Sequence, residues 1–342
     1  MSQSRLEIFF RVDGGNVYSV GMGHIYRCLK IADFLDATKQ IKSVFVMRDI
    51  REGVEKVIEK GHRILRLPEK IDEETEISNL EEMCRGQTLI MDIRRISNNY
   101  FVRLNNTCKK TIYFDDLGNN NYSPHYLINP SVTPALQKYK KKNSFTKYLV
   151  GEKYFILGGS GFKVKAEVKM TINKVFVSLG GADPANYTPS VLKLLAELPY
   201  NFKITLVLGP AFNNFEEVDN IVRQSKLDID ILANAKNMGE LMFNHDLAFV
   251  AGGDTALELA YTGTPGILVP TIDYENTTAE FLESNDVFVN LGDIKKIPEA
   301  ETKKKIDLFW NDYNKRKMFS GNSKRFIDGH GLSRIMVETA LC

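Results

Sequence analysis

Over the first third of the chain, short apolar runs alternate with stretches of helical spacing. LEIFFRV (6–12), KSVFVM (42–47), HRILRL (62–67), TLIMDI (88–93) and TIYFDD (111–116) read as strands. The segments 24–37, 52–60, 74–84 and 97–106 between them read as helices. In the first of these, Ile25, Cys28, Leu29, Ala32 and Leu35 recur at steps of three and four and share one face. Strands this apolar, separated by helices, predict a parallel sheet covered on both sides. The stretch 118–170, with LGNNNYSP and the lysine-rich run 138–142, breaks the rhythm. Part of it is expected to form further short strands and part to connect two domains. The alternation restarts at KVFVSLGG (174–181) and continues through KITLVLG (203–209), IDILAN (229–234), DLAFVAGG (246–253) and PGILVP (265–270). Helices are predicted near 188–198, 215–226, 238–244, 254–262 and 275–284, and 298–341 reads mostly helical. The fold class is therefore α/β, with two Rossmann-like parallel-sheet domains expected to face a cleft.

Composition changes this picture little. A chain of 342 residues with 43% apolar and 26% charged residues has material for two cores. The formal charge of +2 gives no electrostatic footprint for nucleic acid. The four cysteines (28, 84, 108 and 342) form no CxxC pair or zinc pattern, which suits a reducing cytoplasm. The first residues lack the profile of a secretory signal, and no apolar stretch is long enough to span a bilayer.

Candidate chemistry gathers where strands end, which is where open parallel sheets bind ligands. GGNVYSVGMGH follows the first strand, DDLGN the fifth, SLGGADPANYT the first strand of the second half, and AGGDTALELA its fourth. In AGGDTALELA, Gly252 and Gly253 permit close backbone approach. Asp254 or Thr255 begins a helix whose free N–H groups suit a diphosphate. Glu258, one turn on, offers a carboxylate to a ribose diol. A plain strand–turn–helix joint with Asp254 as N-cap fits the same residues. No Gly-Lys-Ser/Thr follows, so the loop is not a Walker A motif. GMGHIYR lacks the third glycine of a dinucleotide fingerprint, which disfavours hydride chemistry.

His24 stands at the start of the first helix. An imidazole there can take a proton from water, and the helix N-terminus is expected to keep it neutral. Asp13, at the end of the preceding strand, is the expected orienting partner; a histidine that merely caps or packs is the alternative. Asp115 and Asp116 suit either substrate hydroxyls or a loop cap. The other histidines, at 62, 125, 245 and 330, read as structural or exposed.

RVDGGNVYSVGMGHIYRCLKIAD resembles the opening of the UDP-sugar hydrolases of pseudaminic acid biosynthesis and the related spore-coat polysaccharide proteins. The likeness runs in order through YFDDL, GEKYFIL, VSLGGADPANYT, AGGDTALELAYTGTPGILVP, YENTTAEFL and IDGHGLSRI. It implies a GT-B fold. The expected N-terminal domain spans 1–165, joined by a C-terminal helix near 325–342, and the nucleotide-binding domain spans 166–324. It implies His24 as the catalytic residue. Gly21, Gly23, Arg27, Gly180, Gly181, Asp183, Gly252, Gly253, Asp254, Thr255, Glu258 and Asn276 are the expected substrate-binding residues. The implied reaction is hydrolysis, at the anomeric carbon, of a UDP-linked 2,4-diacetamido-trideoxyhexose, with no metal or cofactor. The implied partner is a small-molecule UDP-sugar, without nucleic acid or membrane insertion, and a monomer is expected. A glycosyltransferase with the same donor site and a non-catalytic nucleotide-sugar binding protein are the alternatives. Two positions depart from the family: Thr277 stands where glutamine is usual, and Gly158 where arginine is frequent.

Overall fold

A computed structural model describes residues 7–15, 22–94, 96–118, 122–133, 139, 144–158 and 161–341. The chain divides into two compact units, 1–158 with 330–342, and 159–329.

The first unit is built on a seven-stranded sheet in the order β3-β2-β1-β4-β5-β6-β7, with every pairing parallel. Its strands are β1 (Glu7–Val12), β2 (Lys42–Arg48), β3 (Arg63–Leu67), β4 (Thr88–Asp92), β5 (Lys110–Phe114), β6 (Tyr126–Asn129) and β7 (Lys147–Val150). The helices between them are α1 (Gly23–Lys39), α2 (Arg51–Glu59), α3 (Glu73–Met83) and α4 (Asn98–Thr107). Side chains alternate across the sheet. Ile8, Phe10, Val12, Ile90, Ile112 and Phe114 point to one face and pack with Ile25, Cys28, Leu29 and Leu35 of α1. Phe9, Leu89, Met91 and Tyr113 point to the other and pack with Ile77 and Leu80 of α3 and Phe101 and Leu104 of α4. The last helix, α12 (Gly331–Glu338), returns to this unit, and its Ile335 and Met336 join the α1 face. There Lys110 Nζ donates to the Thr339 carbonyl and Lys147 Nζ to that of Glu338, both at the helix end.

The second unit repeats the plan with six parallel strands in the order β10-β9-β8-β11-β12-β13. They are β8 (Lys174–Ser178), β9 (Lys203–Leu208), β10 (Asp228–Ala233), β11 (Leu247–Val250), β12 (Gly266–Leu268) and β13 (Val289–Asn290). Helices α5 (Thr188–Ala196), α6 (Phe215–Gln224), α7 (Met238–Asn244), α8 (Asp254–Thr262) and α9 (Asp273–Ser284) alternate with them, and α10 (Glu299–Asn311) and α11 (Tyr313–Phe326) follow. The two-residue β13 escapes the periodicity of the sequence because its partners are supplied only by β12. The start of α9 lies two residues before the expected one, at Asp273.

In both sheets the strand order reverses beside the first strand, between β1 and β4 and between β8 and β11. The crevice outside the carboxyl ends of such a strand pair is the ligand site of open α/β sheets.

Candidate functional site

At the β1/β4 reversal point of the first unit, α1 presents His24, Arg27 and Cys28 on one face, at i, i+3 and i+4. Asp92 ends β4 and Asp116 follows β5 by two residues. Both continue the pleat phase of residues that pack on α1, Ile90 before Asp92 and Phe114 before Asp116, so both carboxylates emerge on the α1 side. Asp92 is buried to 1% exposure, while the His24 side chain keeps 15%. His24 Nδ1 lies 2.7 Å from Asp92 Oδ1. That contact makes Nδ1 the protonated nitrogen of the neutral ring and leaves Nε2 as its lone-pair nitrogen. The described residues give Nε2 no hydrogen-bond partner. Arg27 donates from Nε to Asp92 Oδ2 at 2.7 Å and from Nη2 to Asp92 Oδ1 at 2.8 Å. Its Nη1 and Nη2 donate to the two Asp116 oxygens, each at 2.9 Å. The guanidinium also lies 4.7 Å from the centre of the Phe114 ring.

The electrostatics follow from this crowding. Burial by itself lowers the His24 pKa, but the Asp92 carboxylate, its hydrogen bond and the nearby Asp116 outweigh burial and the opposing charge of Arg27. The net result is a pKa above the ordinary 6.5. This corrects the expectation that the helix N-terminus holds His24 neutral: two carboxylates within 4 Å prevail over a partial charge. Burial pushes the carboxyl of Asp92 up, yet the Arg27 and His24 charges hold it far below the usual carboxylate range. Asp116 is also lowered, with burial again opposed by Arg27. Burial pushes the Cys28 thiol well above its ordinary value, helped by the charge of Asp92.

Asp13 does not orient His24, and the expectation is corrected to Asp92. Asp13 lies just past the end of β1, two residues after Arg11, in phase with the odd positions of that strand, which face α3 and α4. Its oxygens accept from Arg11 Nη1 and Nη2 at 2.6 and 2.8 Å and from the Arg48 backbone N–H at 2.8 Å. Arg11, fully buried, also donates from Nε to Glu76 at 2.6 Å. Arg27 was expected to meet substrate; its guanidinium is instead committed to Asp92 and Asp116. Gly23 is the first residue of α1 and a Cβ there would meet nothing within 4 Å. Gly21 lies outside the described residues, as does most of the lysine-rich run. Asp115 is a loop cap, accepting from Leu117 N–H, Gly118 N–H and the Tyr139 hydroxyl. One nitrogen of His24 and one oxygen each of Asp92 and Asp116 lie within 4.8 Å of one another, a spacing a divalent ion would tolerate. Those carboxylates already hold the Arg27 guanidinium, which is the cation of the cluster.

The second unit brings a different set together at its own reversal point. Gly252 and Gly253 follow β11, and α8 begins at Asp254 with Gly253 as its N-cap, in place of the alternative cap Asp254. Glycine has no side chain, and this N-cap makes no side-chain capping hydrogen bond to α8. Behind this loop stands Glu275, a residue the sequence did not single out. Its carboxylate is buried, accepts from Thr271 N–H at 2.7 Å and Thr271 Oγ1 at 3.0 Å, and is reached by the Gly252 N–H. Burial raises its pKa above the ordinary value despite these bonds. A Cβ on Gly252 would fall 2.7 Å from the Glu275 carbonyl oxygen, so only glycine fits this joint. Asn276 is the next residue of α9, half-buried, as are Thr255 and Glu258 on α8. Gly180, at φ 82°, and Gly181 follow β8. Gly181 packs against Gly209, where a Cβ would lie 2.4 Å from the Gly181 Cα. The Asp183 carboxylate accepts from the Tyr187 and Thr188 N–H groups at 2.9 and 2.7 Å, so it fixes the start of α5.

Residues 175–303 match the glycosyltransferase family 28 C-terminal domain. The uncharacterized protein MJ1062 of Methanocaldococcus jannaschii is 31% identical over 261 residues, which are 73% of this chain and 53% of that protein. The chain thus spans about half the length of that relative. The spore coat polysaccharide biosynthesis protein SpsG of Bacillus subtilis is 22% identical over 335 residues, 94% of each chain. Among solved structures, MurG of Acinetobacter baumannii superposes with a TM-score of 0.74 at 9% identity, covering 98% of this chain and 100% of its own. At that identity the likeness is one of fold: two parallel α/β units of the GT-B type. Among the described residues, no helix is long and apolar enough to cross a membrane.

Proposed function

We propose, for a chain that belongs to the SpsG-like family of GT-B proteins, that it is a UDP-sugar enzyme of polysaccharide biosynthesis acting as a hydrolase. Its substrate on this reading is a UDP-linked amino sugar of the 2,4-diacetamido-2,4,6-trideoxyhexose class, on the way to a pseudaminic-type acid or a surface polysaccharide. The observation that carries the reading is the buried Asp92 on Nδ1 of His24, which leaves Nε2 without a partner among the described residues. That is a base with its tautomer set. Around it stand one fixed cation, Arg27, and two anions, Asp92 and Asp116. With neutral His24 the cluster carries one net negative charge; when the imidazole takes a proton, the charge balances. The cluster therefore favours proton uptake from water as the water oxygen attacks the anomeric carbon. The bond from that carbon to the diphosphate oxygen breaks, and UDP departs with the electron pair. The second unit would hold the nucleotide, its diphosphate at the N-terminus of α8 and its ribose near Glu258, with Asn276 toward the phosphate or sugar. No metal is needed on this reading.

A glycosyltransferase is the second reading, favoured by the match of 175–303 to a glycosyltransferase domain. There His24 would deprotonate an acceptor hydroxyl in place of water. UDP release from a panel of UDP-amino sugars, without acceptor, for the wild type and His24→Asn, tests both. Release that requires His24 supports the hydrolase. Release only on adding an acceptor supports the transferase, and His24-independent release removes His24 from the chemistry.

A further inference from the structure

Asp92, which orients His24, is itself held by a second layer of bonds. The guanidinium of Arg27 meets Asp92 side-on, through Nε and Nη2, and meets Asp116 end-on, through Nη1 and Nη2. Its plane is supported by Phe114, two residues before Asp116 on the same strand phase. Asp92 lies between two donors that fix both of its oxygens: Oδ2 on Arg27 Nε, and Oδ1 shared by Arg27 Nη2 and His24 Nδ1. Cys28 Sγ adds a weak contact to Oδ2 at 3.9 Å.

We propose that Arg27 and Asp116 are positioning residues for His24: the guanidinium, anchored by Asp116 and Phe114, locks the Asp92 carboxylate in the rotation that presents Oδ1 to Nδ1. The inference rests on the reading of His24 as the base. Its geometry is specific to arginine. A lysine ammonium carries the charge but lacks the planar fork that engages two carboxylates on two edges. Asparagine at 116 keeps the shape of aspartate, but its amide N–H groups would oppose an Arg27 N–H, releasing that edge of the clamp.

The two arms of the clamp also act on His24 with opposite sign. Among the described residues, the charged groups facing the ring are Asp92 from β4, Asp116 after β5 and Arg27 from α1, while Cys28 of α1 meets Asp92. Asp116 Oδ2 lies 3.9 Å from Nδ1 and favours the imidazolium. Arg27 Nη2 lies 3.2 Å from Nδ1 and opposes it.

The test is titration of the His24 ring by nitrogen-15 NMR in the substrate-free full chain, for the wild type, Asp116→Asn, Arg27→Lys and Arg27→Met. Asp116→Asn should lower the midpoint by about one pH unit, and Arg27→Met should raise it by about as much. Arg27→Lys should lower the midpoint, because the Asp92 hydrogen bond that raises it is weakened, and the neutral ring should lose its preference for a proton on Nδ1. If Arg27→Met does not fold, Arg27→Lys decides. A neutral ring that keeps its proton on Nδ1 in Arg27→Lys overturns the proposal, whatever the Asp116→Asn midpoint. None of these readouts uses a substrate. Titrations that move as expected in a protein that turns over no UDP-sugar leave the clamp standing and remove the hydrolase reading.

Discussion

Replacing Asp92 by asparagine separates a histidine dyad from a histidine that happens to lie at a helix start. Asparagine keeps the volume and can still accept from Nδ1, but the negative charge 2.7 Å from the ring is gone. What remains beside His24 is one guanidinium and one carboxylate, so the local charge changes from −1 to zero. Burial and Arg27, which both lower the His24 pKa, then face only Asp116. An opposite charge at this range moves a pKa by about 1–3 units, or about 1.4–4 kcal/mol. The midpoint should therefore fall from above 6.5 to below it. Catalysis loses the orienting partner as well. A positioned base contributes about 10²–10⁴-fold, and the expected loss in kcat/KM at pH 8.5 is about 10²-fold, or about 2.7 kcal/mol. The sign of the pH dependence is the sharper test. A base works deprotonated, so the wild-type rate should rise with pH through a midpoint above 6.5, whereas the variant should already be on its plateau there. The ratio of wild type to Asp92→Asn must shrink as pH falls. The assay is initial UDP release across pH 5–9, with circular dichroism as the folding control. Arg27 keeps Asp116 in the variant, so a stability loss of about 1–3 kcal/mol is expected and unfolding is not. A variant with the wild-type acid limb and kcat/KM within about twofold of wild type would refute the dyad.

Asp13→Asn should do the reverse. It should cost about 1–3 kcal/mol in urea denaturation, because fully buried Arg11 loses a bidentate partner while keeping Glu76, and it should leave the His24 midpoint in place. Gly252→Ala should weaken UDP binding about tenfold or more in calorimetry, since its Cβ meets the Glu275 carbonyl at 2.7 Å and must push the start of α8 or α9 aside. His24 itself should contribute pH-dependent stability. Its folded pKa lies above the unfolded value of about 6.5, so the contribution is complete below that value and disappears as pH rises through the folded one. The stability gap between wild type and His24→Asn, from urea denaturation, should accordingly be larger at pH 5.5 than at pH 8.5.

The fold was largely legible because both sheets are parallel and covered. Parallel central strands are apolar on both faces, so EIFFRV and TLIMD stand out against helices whose apolar residues return every three or four positions. Strands that depend on tertiary partners left weaker marks. The two residues of β13 carry no period of their own. The edge strand β10 is mostly exposed, so its apolar residues mark it less clearly than those of the buried central strands.

The candidate site was half legible, and pleat phase explains which half. His24 stood out through its neighbours Gly23 and Gly21, but the choice of partner required knowing which face of the sheet carries α1. Asp13 is nearest in sequence, yet it shares phase with Phe9 and Arg11, which face α3 and α4. Asp92 shares phase with Ile90, and Asp116 with Ile112 and Phe114, all on the α1 face. In TLIMDI and TIYFDD that phase is concealed, because both faces of a buried parallel strand carry apolar residues and neither is marked as solvent-facing. A signal was nevertheless present. His24, Arg27 and Cys28 lie on the same helical face as Ile31 and Leu35, which are buried against the sheet. A half-buried arginine on that face requires carboxylates from strands in register with it, and Asp92 and Asp116 are the strand-end acids with that phase. Glu275 shows the same principle in the second unit. A glutamate in the first turn of a helix reads as a favourable charge at its positive end. What assigns it to the Gly252 loop is the adjacency of β11 and β12, a fact of topology and not of local pattern.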